Sequence, residues 1–199
     1  MESWSLSKHK LILLILLVFM VEQLQGVCIE DERKALLEIK ASLHQLPYRF
    51  DVSKLLTTWV DHEITQGDCC NWERIRCDSA NEYVTDISLS NLFLRDELSY
   101  WRDNGVQWSL NFSPFLRFKE LRSLDLSWNF IDDTIVSTGL DRLSSLNKLE
   151  ILNLSTNNIE TNIFPLLGPL TSLRTLDLSS FNGYQYSPTY GTLFIFLTS

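Results

Sequence analysis

The most regular hydrophobic pattern in the chain is a leucine motif that recurs along its second half. Leucines hold the first, fourth and sixth positions of Leu121–Leu126, Leu149–Leu154 and Leu173–Leu178. An earlier copy, Val84–Leu89, carries valine and isoleucine in place of two leucines. The later copies follow one another at the length of a leucine-rich repeat, roughly 20–29 residues. The pattern therefore predicts a repeat protein.

Each Leu-x-Leu segment is predicted to form a short strand, because alternate side chains of a strand point to opposite faces. The inward leucines of successive coils then stack into one core beside a short parallel sheet. Asn129 and Asn157 stand three residues after the last strand leucine, where an amide can donate to and accept from the turning backbone. We therefore predict an α/β leucine-rich-repeat solenoid of about four repeats, over residues 81–182.

The interval between the first two copies is longer than the others, which predicts an inserted loop near residues 93–115. Trp101 and Trp108 lie in this loop. One interpretation is that they form a knob for a partner. The other, which we favour, is that they cover the core where the coil is enlarged.

Residues 27–80 have a different, partly helical pattern. Apolar residues recur at helical spacing in Glu30–Leu43, acidic residues occupy its first turn, and Pro47 follows it. We predict a second helical stretch over Val52–Val60. This region has too little core to be stable alone.

The first 26 residues are predicted to be a secretory signal peptide. Lys8 and Lys10 precede an unbroken apolar run over residues 11–21. That run is shorter than the roughly 20 residues of a membrane-spanning helix, and polar residues follow it. We expect cleavage near Gln25–Val27, and we find no segment of the chain that is long enough to span a membrane.

All four cysteines lie after the signal peptide. An even count in an oxidising compartment predicts two disulfides among Cys28, Cys69, Cys70 and Cys77. The adjacent Cys69 and Cys70 are poorly placed to pair with each other, which leaves two connectivities open. A zinc site that adds His62 is disfavoured, because the spacing fits no common zinc pattern.

Charge and composition exclude several functions. The formal net charge of −8 argues against nucleic-acid binding, which needs clustered lysine and arginine. No nucleophile motif or glycine-rich phosphate loop is present in the sequence, and His44 and His62 lie in polar settings. We therefore predict no enzymatic activity, no cofactor and no metal.

The candidate binding face consists of strand residues that do not point inward. Solenoids of this type present such residues on a concave surface that binds partners. An exposed Trp128 would be a typical interface anchor, although we favour packing over the neighbouring coil for this side chain. The candidate face comprises Arg122, Asp125, Trp128, Glu150, Asn153, Arg174 and Asp177.

Two sequons predict glycosylation in a secreted chain, at Asn111 and Asn153. Asn111 lies in a predicted loop and is the safer prediction. Asn153 lies on a predicted strand, where a glycan would obstruct the concave face. Either that stretch is not the ligand surface or the site is unoccupied.

The N-terminal motifs resemble the cap of plant extracellular leucine-rich-repeat proteins. The similar segments run from Glu32 to Ala41, from Leu56 to Trp59, and from Cys69 to Asp78. With Cys28 and the paired cysteines, the chain is most similar to plant receptor-like proteins, over essentially residues 8–182. The resemblance implies the pairing Cys28–Cys69 with Cys70–Cys77, and it makes residues 27–80 the N-terminal cap.

The resemblance also implies a function. Receptor-like proteins of this type carry a repeat ectodomain and a membrane helix but no kinase. It implies recognition of an extracellular peptide, glycan or protein in defence or development, with signalling through a co-receptor kinase. The alternative is a secreted inhibitor of cell-wall-degrading enzymes such as polygalacturonase, because those inhibitors share the cap and the repeats.

The end of the chain departs from the family pattern. Residues 183–199 follow no repeat and form an atypical tail. Because family members carry further repeats and a membrane helix, we expect the chain to correspond to their N-terminal part in truncated form. The predicted location is the secretory pathway, then the plasma membrane for a full-length form and the extracellular space for this form.

Overall fold

The computed structural model describes most of the cap and of the repeats. The described residues are 28–43, 52–61, 68–80, 82–93, 108, 110–129, 131–132, 136–137, 139–159, 163–179 and 194–196. The predicted signal peptide and most of the tail lie outside them. The strands of the described residues form one sheet in chain order: Ile75–Cys77 (β1), Val84–Ser88 (β2), Ser123–Asp125 (β3), Ile151–Asn153 (β4), Thr175–Asp177 (β5) and Phe194–Phe196 (β6).

The four central strands confirm the predicted solenoid. β2 to β5 pair in parallel, with Ile87, Leu124, Leu152 and Leu176 in register. These four side chains are buried and form a continuous row inside the stack. Burial of such a row, at about 25 cal/mol per Å² of apolar surface, is the main force that holds the coils together.

The cap packs at one end of this stack. The predicted helix Glu30–Leu43 (α1) is confirmed with those bounds, and its Leu36, Ile39 and Leu43 are buried in the common core. Arg117 joins the helix to the first coil, because its Nη2 donates to both carboxylate oxygens of Glu38 at 2.8 and 2.9 Å.

Short helices lie between successive strands of the chain. They are the 3-10 helices Ser113–Arg117 and Leu140–Ser145 and the α-helix Phe164–Leu167 (α2). The first of them overlaps the end of the predicted inserted loop, yet Phe115 and its neighbours Phe112 and Phe118 are buried. This part of the sequence is therefore core rather than loop. Residues 94–107, which include Trp101, lie outside the described residues.

Trp108 covers the core, as the favoured interpretation predicted. Its ring is fully buried and lies edge-on to Phe93, with 5.9 Å between the ring centroids. Its indole Nε1 donates to Ser42 Oγ of the cap helix at 3.0 Å. A buried Trp needs such a partner for its N–H, so the contact also fixes the helix against the first coil.

Two asparagines, the buried Asn129 and the half-buried Asn157, tie consecutive coils together. The amide of Asn129 donates to the carbonyls of Leu89 and Leu126, and its oxygen accepts from the N–H of Leu92. Asn157 repeats this arrangement one coil later, donating to the carbonyls of Leu126 and Leu154. These side chains satisfy backbone groups that the turns leave unpaired inside the protein.

The predicted helical stretch Val52–Val60 is wrong. Only Val52–Lys54 forms a 3-10 turn, and Leu56 has a φ of 50°, which ends any helix. Lys40 of α1 donates instead to the carbonyls of Leu56 and Trp59, both at 2.8 Å. Trp59 is buried through tertiary contacts rather than along a helix face, because its Nε1 donates to the carbonyl of Glu73.

The two outer strands were not predicted. β1 pairs antiparallel with β2, and β6, from the predicted atypical tail, pairs antiparallel with β5. Both strands cover edges of the repeat sheet that would otherwise present unpaired backbone groups. None of the helices in the described parts of the chain is long and apolar enough to cross a membrane.

Candidate functional site

The repeat sheet presents two rows of outward residues on either side of its buried row. Side chains alternate along each strand, so the half-buried or exposed residues that flank the buried row face away from the core. One row comprises Asp86, Ser123, Ile151 and Thr175, and the other comprises Ser88, Asp125, Asn153 and Asp177.

Three of the predicted face residues lie in the second row and also shape the turns that follow the strands. Asp125 Oδ1 accepts hydrogen bonds from the N–H and the hydroxyl of Ser127, at 3.0 and 2.7 Å. Asn153 and Asp177 accept from the N–H two residues later, at 3.0 and 2.9 Å. One oxygen of each side chain therefore accepts a hydrogen bond from the turn that follows its own strand. The second oxygen of Asp125 and of Asp177 adds negative charge to this row.

Three other predicted residues lie together where the strands begin. Arg122, Glu150 and Arg174 occupy equivalent positions in successive coils and line one shallow depression of about 300 Å³. Arg174 Nη1 lies 3.9 Å from Glu150 Oε2. The remaining lining residues are Asn147, Lys148, Thr171, Ser172 and Leu173.

Trp128 is half-buried, between the two interpretations of the sequence. Its φ of 60° is unusual for a bulky residue, and Thr156 in the next coil has a φ of 54°. In this conformation the N–H of Trp128 donates to the carbonyl of Ser155, and that of Thr156 to the carbonyl of Ser179. The strained backbone thus continues the hydrogen-bonding between coils.

Ile151 is the face residue that the sequence reasoning missed. Its side chain is 44% exposed, in register with Ser123 and Thr175 of the neighbouring strands. The signal was available in the sequence, because Ile151 lies two residues before Asn153 and must therefore share its face. A large apolar side chain among short polar ones is a candidate contact for a partner.

The two sequons differ in accessibility. Asn111 is exposed, and its Oδ1 accepts from the N–H of Ser113 at 2.9 Å. Asn153 is half-buried in β4, and the hydroxyl residue of its sequon, Ser155, is only 7% exposed. The folded structure leaves more room for a glycan at Asn111 than at Asn153, so glycosylation at Asn111 remains the stronger prediction.

The four cysteines form the pairs Cys28–Cys69 and Cys70–Cys77. The sulfurs of Cys28, Cys69 and Cys70 are also the single group, among the described residues, close enough to suit a metal. Because all of them are in disulfides, they offer no thiolates to a metal. His62, the fourth ligand of the disfavoured zinc alternative, lies outside the described residues.

Among the described residues, the large pKa shifts lie in the cap and not on the outward face. Burial raises the pKa of Glu32 to about 7, although the N–H of Val84 donates to its Oε2 at 2.7 Å and acts in the opposite direction. The carboxylates of Glu120, Asp31 and Asp78 raise this pKa further. Glu32 joins α1 to the first repeat strand, so its titration concerns stability rather than chemistry.

The fold and the face define a capped leucine-rich-repeat protein, and comparisons with known proteins agree. A family model described as "Leucine rich repeat N-terminal domain" matches residues 29–78. Receptor-like protein 56 of Arabidopsis thaliana is 37% identical over 189 residues, which cover 94% of this chain and 19% of the relative. Receptor-like protein 14 of the same plant is 34% identical over 175 residues, covering 84% and 16% respectively.

A solved structure is also similar. The leucine-rich-repeat ectodomain of the membrane receptor kinase GASSHO1/SCHENGEN3 from Arabidopsis thaliana aligns with a TM-score of 0.43 and 25% identity. The alignment covers 73% of this chain and 18% of that one. The sequence relatives support the resemblance: over most of its length the chain is similar to plant leucine-rich-repeat receptor-like proteins. It spans less than a fifth of the length of the relatives compared.

Proposed function

We propose that the chain recognises an extracellular peptide, glycan or protein through the outward face of its repeat sheet, without enzymatic activity. The observation that supports this most directly is the register of β2 to β5, which aligns polar residues and Ile151 on one surface. Such regular surfaces are what stacked repeats use for binding. The similarity to receptor-like proteins adds a co-receptor kinase as the partner that transmits the signal.

The same reasoning gives the location. Two disulfides in the described cap require an oxidising compartment, and the N-terminal sequence predicts a secretory signal. We therefore propose that the chain acts outside the cell or at its surface.

Site-specific photo-crosslinking tests the proposed face. A benzophenone amino acid replaces Ile151 on the face or, as a matched control, the exposed Asp141 in the 3-10 helix behind it. The secreted chain is incubated with extracellular fluid of the source tissue and irradiated. We expect a saturable adduct from position 151 that excess unlabelled chain prevents. Equal labelling from both positions, or none from position 151, would contradict the proposal.

A further inference from the structure

The depression at the start of the strands has an unusual charge for this protein. Its lining includes the cations Arg122, Lys148 and Arg174 and the single carboxylate of Glu150. The chain as a whole has a formal net charge of −8. A local excess of positive charge on an acidic protein favours an anionic partner at that place.

The fold uses little of the hydrogen-bonding capacity of Arg122 and Arg174. Within the described parts of the chain, Arg122 makes no ion pair or side-chain hydrogen bond, and Arg174 has only the 3.9 Å contact with Glu150. The side chain of Arg174 is 72% exposed. Lys148, in contrast, is paired with Glu120. Both guanidinium groups therefore have donors free for a carboxylate, which they can hold with two parallel hydrogen bonds.

Ile151 lies beside these donors. It follows Glu150 directly, and Ser123 and Thr175, its partners in the sheet, directly follow Arg122 and Arg174. Ile151 does not line the depression itself, but neighbouring strands are only about 4.8 Å apart, so one extended ligand can contact Ile151 and also enter the depression. We name Arg122, Ile151 and Arg174 the arginine–isoleucine patch.

We propose that this patch binds an extended peptide segment that carries an apolar side chain and, two residues later, a carboxylate. Residues i and i+2 of an extended chain share one side, about 6.6 Å apart. One side chain can then cover Ile151 while the other reaches a guanidinium group. This inference rests on the proposed function, and it names the chemistry of the segment that the face recognises.

Glu150 acts against the two arginines, because its negative charge disfavours binding of an acidic ligand. Its carboxylate lies 3.9 Å from Arg174 and lines the same depression as Arg122, so it repels an incoming acidic group. Replacing it by the neutral isostere, Glu150→Gln, should therefore strengthen binding of an acidic peptide. A patch that only holds the coils together would show no such gain.

The test is an NMR titration of the ¹⁵N-labelled full chain with acetyl-Leu-Gly-Asp-Gly-amide. We expect amide shifts centred on residues 122, 151 and 174, with about fivefold weaker binding when Asn replaces Asp or Ala replaces Leu in the peptide. Arg122→Gln should abolish the preference for Asp, Ile151→Ser should abolish the preference for Leu, and Glu150→Gln should raise the affinity about threefold. The exposed Lys119→Gln, which removes the same charge elsewhere, should change neither preference.

Equal binding of the Asp and Asn peptides, or shifts centred outside the patch, would overturn the inference. The proposed function would survive that result if the crosslinker at position 151 still captured a saturable partner. Loss of that adduct as well would remove both proposals. Absence of any shift at millimolar peptide would also overturn the inference, because the patch is already formed in the free chain.

Discussion

Single side chains help to hold the coils in register, and Asn129 is the buried side chain that links two of them. Its side chain is fully buried and serves backbone groups of two coils through three hydrogen bonds. Removing it leaves the carbonyl of Leu89 and the N–H of Leu92 without partners in an apolar interior, whereas the carbonyl of Leu126 keeps its bond from Asn157. Unsatisfied buried groups cost about 1–3 kcal/mol each, far more than the net gain from an ordinary surface hydrogen bond.

We therefore predict that Asn129→Ala lowers the free energy of unfolding by about 3 kcal/mol. Denaturant unfolding with the disulfides intact measures the change. Asn147→Ala is the control, since that asparagine is exposed and should cost less than about 0.5 kcal/mol. A similar small loss at both positions would show that the buried amide is dispensable.

The left-handed residues predict a change of the opposite sign. Thr156 has a φ of 54°, a conformation that costs an ordinary side chain about 1–2 kcal/mol and glycine almost nothing. Glycine also gains entropy in the unfolded chain, which offsets part of the relief. We predict that Thr156→Gly raises the free energy of unfolding by about 0.5 kcal/mol.

The matched control for that substitution is Thr175→Gly, in the extended backbone of β5. Glycine has no strain to relieve there, and it should lower the free energy of unfolding by about 1 kcal/mol. Opposite signs in the same denaturation experiment would establish the strain at Thr156. If both variants were destabilised alike, the positive φ would carry no cost.

Among the elements, the junction of α1 with β2 should respond to pH. The folded pKa of Glu32, about 7, lies above its ordinary value of 4.5 because the carboxyl is buried. A raised folded pKa means that the folded state binds the proton more tightly. Its stabilising effect is therefore complete below pH 4.5 and is lost as the pH rises through 7.

We predict that the free energy of unfolding falls by about 3 kcal/mol between pH 4.5 and pH 8 through this group. Glu32→Gln keeps an acceptor for the N–H of Val84 and removes the titration, so the difference between variant and parent should grow with pH. Glu82→Gln, at an exposed position near the same strand, should follow the parent. Parallel pH profiles for all three proteins would contradict the assignment.

The element scale also shows where sequence patterns succeed and fail. α1 was predictable because its apolar spacing, acidic first turn and downstream proline all agree locally. Val52–Val60 has similar apolar spacing, but contacts with residues distant in sequence determine its conformation. Lys40 donates to the carbonyls of Leu56 and Trp59, and the indole N–H of Trp59 donates to the carbonyl of Glu73. β1 was missed because a three-residue strand has no period to detect.

The candidate site was also predictable in part: its positions followed from the repeat pattern, but its detailed contacts did not. Repeat register placed Arg122, Glu150 and Arg174 at equivalent positions, and the structure brings them to one depression. The turn hydrogen bonds of Asp125 and Asp177 and the exposure of Ile151 depend on how neighbouring coils pack. A leucine motif specifies which side chains enter the core, but it does not specify which outward groups bond to the backbone.

On the scale of the whole molecule, the two disulfides should contribute unequally to stability. Cys28 and Cys69 are 41 residues apart, whereas Cys70 and Cys77 are 7 apart. In the chain-entropy model the longer loop corresponds to about 4 kcal/mol and the shorter to roughly 2–3 kcal/mol. The first pair also ties the start of α1 to the end of the cap.

We predict that the double variant Cys28→Ala/Cys69→Ala loses more stability than Cys70→Ala/Cys77→Ala. Thermal and denaturant unfolding of both variants, made in the same oxidising host, give the comparison. Alanine leaves no free thiol that could exchange with the remaining bridge. A larger loss from the shorter bridge would mean that packing around Cys77, and not loop closure, dominates.

Formation of the disulfides depends on the first residues of the chain, which are the predicted secretory signal. Cytosolic thiols stay reduced, so the cap can form its bridges only if the chain enters the secretory pathway. We predict that the secreted protein begins near Gln25–Val27, which intact-mass measurement of the product will show. Leu14→Arg, which places a charge inside the apolar run, should abolish secretion, whereas Ser5→Arg adds the same charge to the already basic flank and should not. A membrane-bound product that retains residues 1–26 would contradict this prediction and would instead make the segment a membrane anchor.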